Sequence, residues 1–125
     1  MKRDMDLMRL ILLYLEENYD PNRGLISDVS IEGYEEAVIA EHCKLLHQAG
    51  LISDIDITRF MGGGLNLSIR NLTNEGYDYL ESIRDEKTWE KVQKTMTDKK
   101  IPSTIAFIAK VSGIFSGQVI KQLTD

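Results

Sequence analysis

Cysteine occurs once in this 125-residue chain, at position 43, so no disulfide can form within it. A lone thiol fits a reducing cytoplasm, which is the expected location. An excess of positive charge is also missing: the formal net charge is −5. That weighs against nonspecific binding to polyanions, which depends on clustered Lys and Arg releasing counterions. The N-terminal "MKRDMD" has two basic residues followed at once by acids, with no uninterrupted apolar core, and gives no signal-peptide pattern. The glycine run Gly62-Gly63-Gly64 is followed by neither Gly-Lys-Ser/Thr nor a helix pattern, and G-x-G-x-x-G does not occur. A phosphate-binding loop needs a helix N-terminus behind it, so a nucleotide site is not expected. No serine sits in a nucleophile elbow. His42 and His47 lie five residues apart, roughly 140° around a helix, and do not converge on a metal. We expect no catalytic residue, no cofactor and no enzyme.

What is present is an ordinary globular composition, 42% hydrophobic and 28% charged. The length suits one domain with a real core. Charge is uneven. Residues 1–62 carry six Lys/Arg against twelve Asp/Glu, a net −6, and residues 63–125 carry nine against eight, a net +1.

Hydrophobic periodicity divides the chain. Residues 4–19 predict an amphipathic helix capped by Asp4, with Met8, Ile11, Leu12, Leu15 and Tyr19 on one stripe. "DPNRG" at 20–24 ends it, and residues 25–31 alternate weakly as a short edge strand. A second helix is expected from Gly33 to Ala49, stopped by Gly50 at C′. Val38, Ile39, Leu45, Leu46 and Ala49 face inward in it, with Cys43 toward the same side and His42 half-buried. "LISDIDI" and "LNLSIRNL" alternate on either side of the glycines, the signature of a β-hairpin with a glycine tip. "LTNEGYDYLESI" opens a third helix capped by Thr73 or Asn74, which either continues to about Thr95 or breaks near "RDEKT". After a polar connection at 96–102, residues 103–123 form a last helix.

The expected fold class is therefore α+β, mostly α: a winged helix-turn-helix over residues 1–95 with a glycine-tipped hairpin as the wing. Residues 96–125 would be a C-terminal helical extension, packed on the domain or on a second subunit.

The words "MKRDMDLMRLIL", "HCKLLHQAGLI", "DIDIT" and "LTNEGYDYLESIRDEKTWEKV" resemble a small bacterial and phage-borne family, domain of unknown function twenty-five-thirteen. The resemblance is close over residues 1–95. It implies a winged-helix fold and a prophage or mobile-element context, and carries over no activity and no site residue.

Candidate contacts come from that arrangement. Lys44, His47 and Gln48 cluster near the end of the second helix. Arg59 and Arg70 are expected to flank the hairpin tip, with Phe60 and Met61 beside it. These residues suit double-stranded DNA, the commonest use of the topology, with cations on phosphates or in the minor groove. Against this, Glu35, Glu36 and Glu41 lie on the same helix, which favours the alternative of a protein partner. On the last helix a small-residue strip, Ala106, Ala109, Gly113, Ser116 and Gly117, predicts close packing on another helix and homo-oligomerisation. A membrane span is disfavoured by Lys110 at mid-segment and by the polar residues around it.

Overall fold

Among the described residues, five helices and one small sheet make a mostly helical α+β chain: α1 Met5–Asn18, β1 Ile26–Ser27, α2 Glu36–Gln48, β2 Ile55–Arg59, β3 Leu65–Ile69, α3 Asn74–Ile83, α4 Glu86–Asp98 and α5 Ile105–Thr124. This computed structural model describes the backbone of residues 1–124 and the side chains of residues 1–115. The chain falls into two compact units, residues 1–77 and 78–125, with the division inside α3. The expected partition was a domain over residues 1–95 and a helical extension over 96–125; residues 95 and 96 both lie within helix α4.

α1 forms where the periodicity places it. Asp4 sits in extended backbone and its carboxylate accepts from the Leu7 N–H at 3.1 Å, satisfying one of the amides a helix start leaves unpaired. Leu7, Met8, Ile11, Leu12 and Leu15 are fully buried. α2 packs on α1 and on the β2–β3 pair. It begins at Glu36, not Gly33, because Gly33 is spent in a turn with φ +87°. It ends in a Schellman motif: the Leu51 N–H donates to the Leu46 carbonyl and the Gly50 N–H to that of His47, each at 3.0 Å.

The sheet has the order β1-β3-β2, antiparallel throughout. β2 runs against β3 from Ile55↔Ile69 to Arg59↔Leu65. Ile55, Ile57, Leu65, Leu67 and Ile69 share one face, and Asp56, Thr58, Asn66 and Ser68 the other. Residues 60–64 connect the strands, with the Phe60 N–H donating to the Gly64 carbonyl and the Gly63 N–H to that of Phe60, both at 3.1 Å. Gly63 and Gly64 lie at φ +92° and +87°, the region where a side chain is disfavoured.

Thr73 starts α3 and ties it to the end of α2. Its N–H donates to the Leu51 carbonyl at 3.0 Å, its hydroxyl donates to the Gly50 carbonyl at 2.5 Å, and its Oγ1 accepts from the Gly76 N–H at 3.0 Å. Gly76 is required by this approach, since a Cβ there would collide with the Leu51 carbonyl oxygen.

In the second unit the break falls at "RDEKT". Asp85 caps α4, accepting from the Thr88 N–H at 2.9 Å and the Thr88 hydroxyl at 3.0 Å, and these bonds hold its carboxyl below the usual value. α4 and α5 pack against each other. Buried in this unit are Leu80, Ile83, Trp89, Val92, Met96, Ile108 and Val111.

Replacing Gly76 by Ala tests the close approach. Ala in a helix normally gains about 1 kcal/mol over Gly. Here the collision with backbone reverses the sign, and we expect a net loss of about 1–3 kcal/mol, read as a lower urea midpoint. An unchanged or raised midpoint would show that the segment yields freely.

Candidate functional site

The outward surface of residues 1–77 is built from the end of α2 and from the β2–β3 pair. Lys44 and Arg59 come together there through one carboxylate. Glu41 Oε1 accepts from Lys44 Nζ at 3.2 Å and from Arg59 at 3.5 Å, so a residue three before Lys44 joins α2 to the end of β2. All three side chains are roughly half exposed. Exposed pairs of this kind are worth at most about 1 kcal/mol, so their main effect is on local charge.

The strand register separates Arg59 from Arg70. Arg59 adjoins the connection, on the face that carries Leu65 and Leu67. Arg70 follows the other end of β3, on the opposite face, and pairs with Asp54 at 3.3 Å. Five residues of strand lie between their levels, about 16 Å. The expectation that the two flank the tip is thus corrected. Alternation within each strand was legible, but the offset between strands is set by the pairing.

Phe60 is 57% exposed and Met61 fully exposed at the connection. The glycine run beside them leads into β3, so it presents no helix N-terminus to a phosphate. His47 is exposed, but its Nδ1 lies 3.2 Å from the Ile52 carbonyl and donates to it, bracing the end of α2 on the following segment. Gln48 is exposed next to it.

His42 is buried, not half-buried, and joins two helices. Its Nδ1 lies 2.8 Å from the Val38 carbonyl, which can only accept, so Nδ1 bears the proton. Nε2 accepts the Asp4 N–H at 2.9 Å. Both contacts are met by a single neutral tautomer. Desolvation, followed by the Asp4 charge, raises the Tyr34 phenol above its usual value. Cys43, also buried, has its thiol pushed up to about 12 by desolvation. A nucleophilic cysteine needs the opposite shift.

On α5, Ala106, Ala109 and Gly113 are exposed beside Phe107 and Ile114. The core side of this helix carries Ile108, Val111 and Ser112. The predicted strip therefore stands open over these three positions, while the side chains of Ser116 and Gly117 lie outside the described residues. Among the described residues no helix is long and apolar enough to cross a membrane.

Fold and surface together define a small α+β protein with an acidic N-terminal unit. The chain belongs to the family described as "Hypothetical protein (DUF2513)", whose model matches residues 2–102. The match passes the 1–95 span of the resemblance and takes in all of α4, leaving α5 outside. A protein of Haemophilus influenzae described as uncharacterized is 32% identical over 120 residues, covering 96% of this chain and 99% of that one. No solved structure matches the chain.

Replacing His42 by Leu removes the acceptor for the Asp4 N–H and the donor to Val38. We expect a loss of about 1–3 kcal/mol in urea unfolding with an unchanged m-value, the cost of leaving a polar group unpaired. A loss below about 0.5 kcal/mol would mean that the imidazole does not hold the helices together.

Proposed function

We propose that the protein is a winged-helix recognition module that meets a protein partner, not duplex DNA, through the β2–β3 connection and the exposed end of α2. The order α1–β1–α2–β2–β3, with β1 joined to β3, supports the winged-helix reading. In this reading the helix that normally precedes the recognition helix is reduced to the turn closed by the Tyr34 N–H on the Ile31 carbonyl. α2 takes the recognition position and β2–β3 the wing.

One observation carries the choice of partner. Each cation expected to meet phosphate is already beside a carboxylate: Lys44 and Arg59 on Glu41, Arg70 on Asp54. Residues 1–77 hold seven Lys/Arg against thirteen Asp/Glu, a net −6. A phosphate backbone approaching that surface is repelled overall. Phe60 and Met61 at the wing tip instead offer apolar area of the kind that anchors protein interfaces.

The test is fluorescence polarisation of labelled genomic duplexes at about 50 mM salt, where phosphate contacts are strongest. We expect no binding tighter than about 100 μM. Tighter binding that weakens with rising salt, and that Lys44→Ala and Arg59→Ala each reduce, would overturn the reading in favour of a DNA-binding regulator.

A further inference from the structure

β1 ends after two residues, and this leaves part of β3 without a neighbour. The register sets Ile26 opposite Ile69 and Ser27 opposite Ser68. β3 continues back to Leu65 on the same edge. On its other edge the Arg70 N–H donates to the Asp54 carbonyl, and the Gly64 carbonyl accepts from Phe60. Amide direction alternates along a strand, so Asn66 and Ser68 turn toward β2 while Leu65, Leu67 and Ile69 turn toward β1. Ile69 meets Ile26. The N–H groups of Leu65 and Leu67 point past the last residue of β1, and no group among the described residues accepts from them.

The cause is local. Asp28, directly after Ser27, takes φ +56° and turns the chain away from the ladder. A cavity of about 280 Å³ opens beside the vacated edge, lined by Asp28, Val29, Ser30, Glu36, Leu65 and Leu67. Its chemistry is two-sided. Val29, Leu65 and Leu67 make an apolar wall, while Asp28 and Glu36 bring two carboxylates and no cation. Neither carboxylate is ion-paired among the described residues, in contrast to Asp54, which lines a second hollow with its partner Arg70.

We infer that this edge receives an extended peptide segment of a partner protein by strand addition, in the place β1 leaves free. The peptide would accept from the β3 amides with its own carbonyls, lay an apolar side chain on Leu65 and Leu67, and set a Lys or Arg between Asp28 and Glu36. Main-chain bonds supply the docking, and the charge complement selects a basic-apolar alternating segment. This edge uses other residues than the wing tip and is available whichever macromolecule that tip meets.

The experiment titrates the isotope-labelled full chain with acetyl-Ser-Val-Lys-Val-Lys-Val-Ser-amide and monitors backbone amide shifts. We expect the largest shifts at Leu65, Leu67 and Ser30. The peptide with Glu in place of Lys, and the peptide with N-methylated alternate amides, should each bind at least about tenfold more weakly. The variant Asp28→Asn with Glu36→Gln, whose side chains keep their size, should weaken the Lys peptide by a similar factor and leave the unfolding midpoint unchanged. Strand addition is overturned by no shift at millimolar peptide, by shifts confined to residues 55–64, by equal affinity for the Lys and Glu peptides, or by concentration-dependent shifts at Leu65 and Leu67 in the free chain, which would mean a second copy covers the edge.

Discussion

The imidazole of His42 links α1 to α2 in only one protonation state and one orientation. Nδ1 must donate to the Val38 carbonyl and Nε2 must accept from the Asp4 N–H. Asp4 is in turn the cap that starts α1, so the beginning of α1 and the middle of α2 are held at one point. The remainder of the N-terminal unit depends on where α2 points. Its end is closed by the Schellman motif at Gly50, and the carbonyls just beyond, Gly50 and Leu51, are taken by Thr73. The β2–β3 pair leaves from between these two anchor points and returns to them. A buried polar group is costly unless paired, and here the pairing also sets the geometry of the unit.

On the outer side the same α2 carries Glu41, which reads as an obstacle to DNA in the linear sequence. In three dimensions it is also the residue that gathers Lys44 and Arg59. The cations are thereby divided into a Glu41–Lys44–Arg59 group of net +1 and a neutral Arg70–Asp54 pair, on an acidic unit. The uncovered features that remain are the apolar β2–β3 connection and the unfinished edge of β3. Both are suited to polypeptide: one offers area, the other main-chain amides. Excess carboxylate is what leads us to propose protein recognition over duplex DNA.

How much was legible depended on the range of the interaction. α1 could be read nearly to the residue, because its cap and its 3.6-residue stripe are local signals. Gly50 at the end of α2 is likewise a local signal. The matching end of α4 was not legible, since its left-handed position is filled by Lys100 at φ +54°, where the Lys100 N–H donates to the Thr97 carbonyl and the Ile101 N–H to that of Met96. Nothing in a lysine announces that conformation. Gly76 reads only as a weak helix residue until the Leu51 carbonyl is seen against it. His42 could be placed near the core by pattern, yet its bond to Asp4 spans 38 residues. Arg59 and Arg70 were both picked out, but their separation comes from strand register, which single-strand alternation does not encode.

The most direct measurement of the central claim places a photo-crosslinking amino acid at Met61 in the full chain and irradiates it in cells. The account predicts covalent adducts with one or a few proteins, lost when Phe60 is replaced by Ser and insensitive to nuclease. Adducts that carry nucleic acid and vanish on nuclease treatment would contradict it.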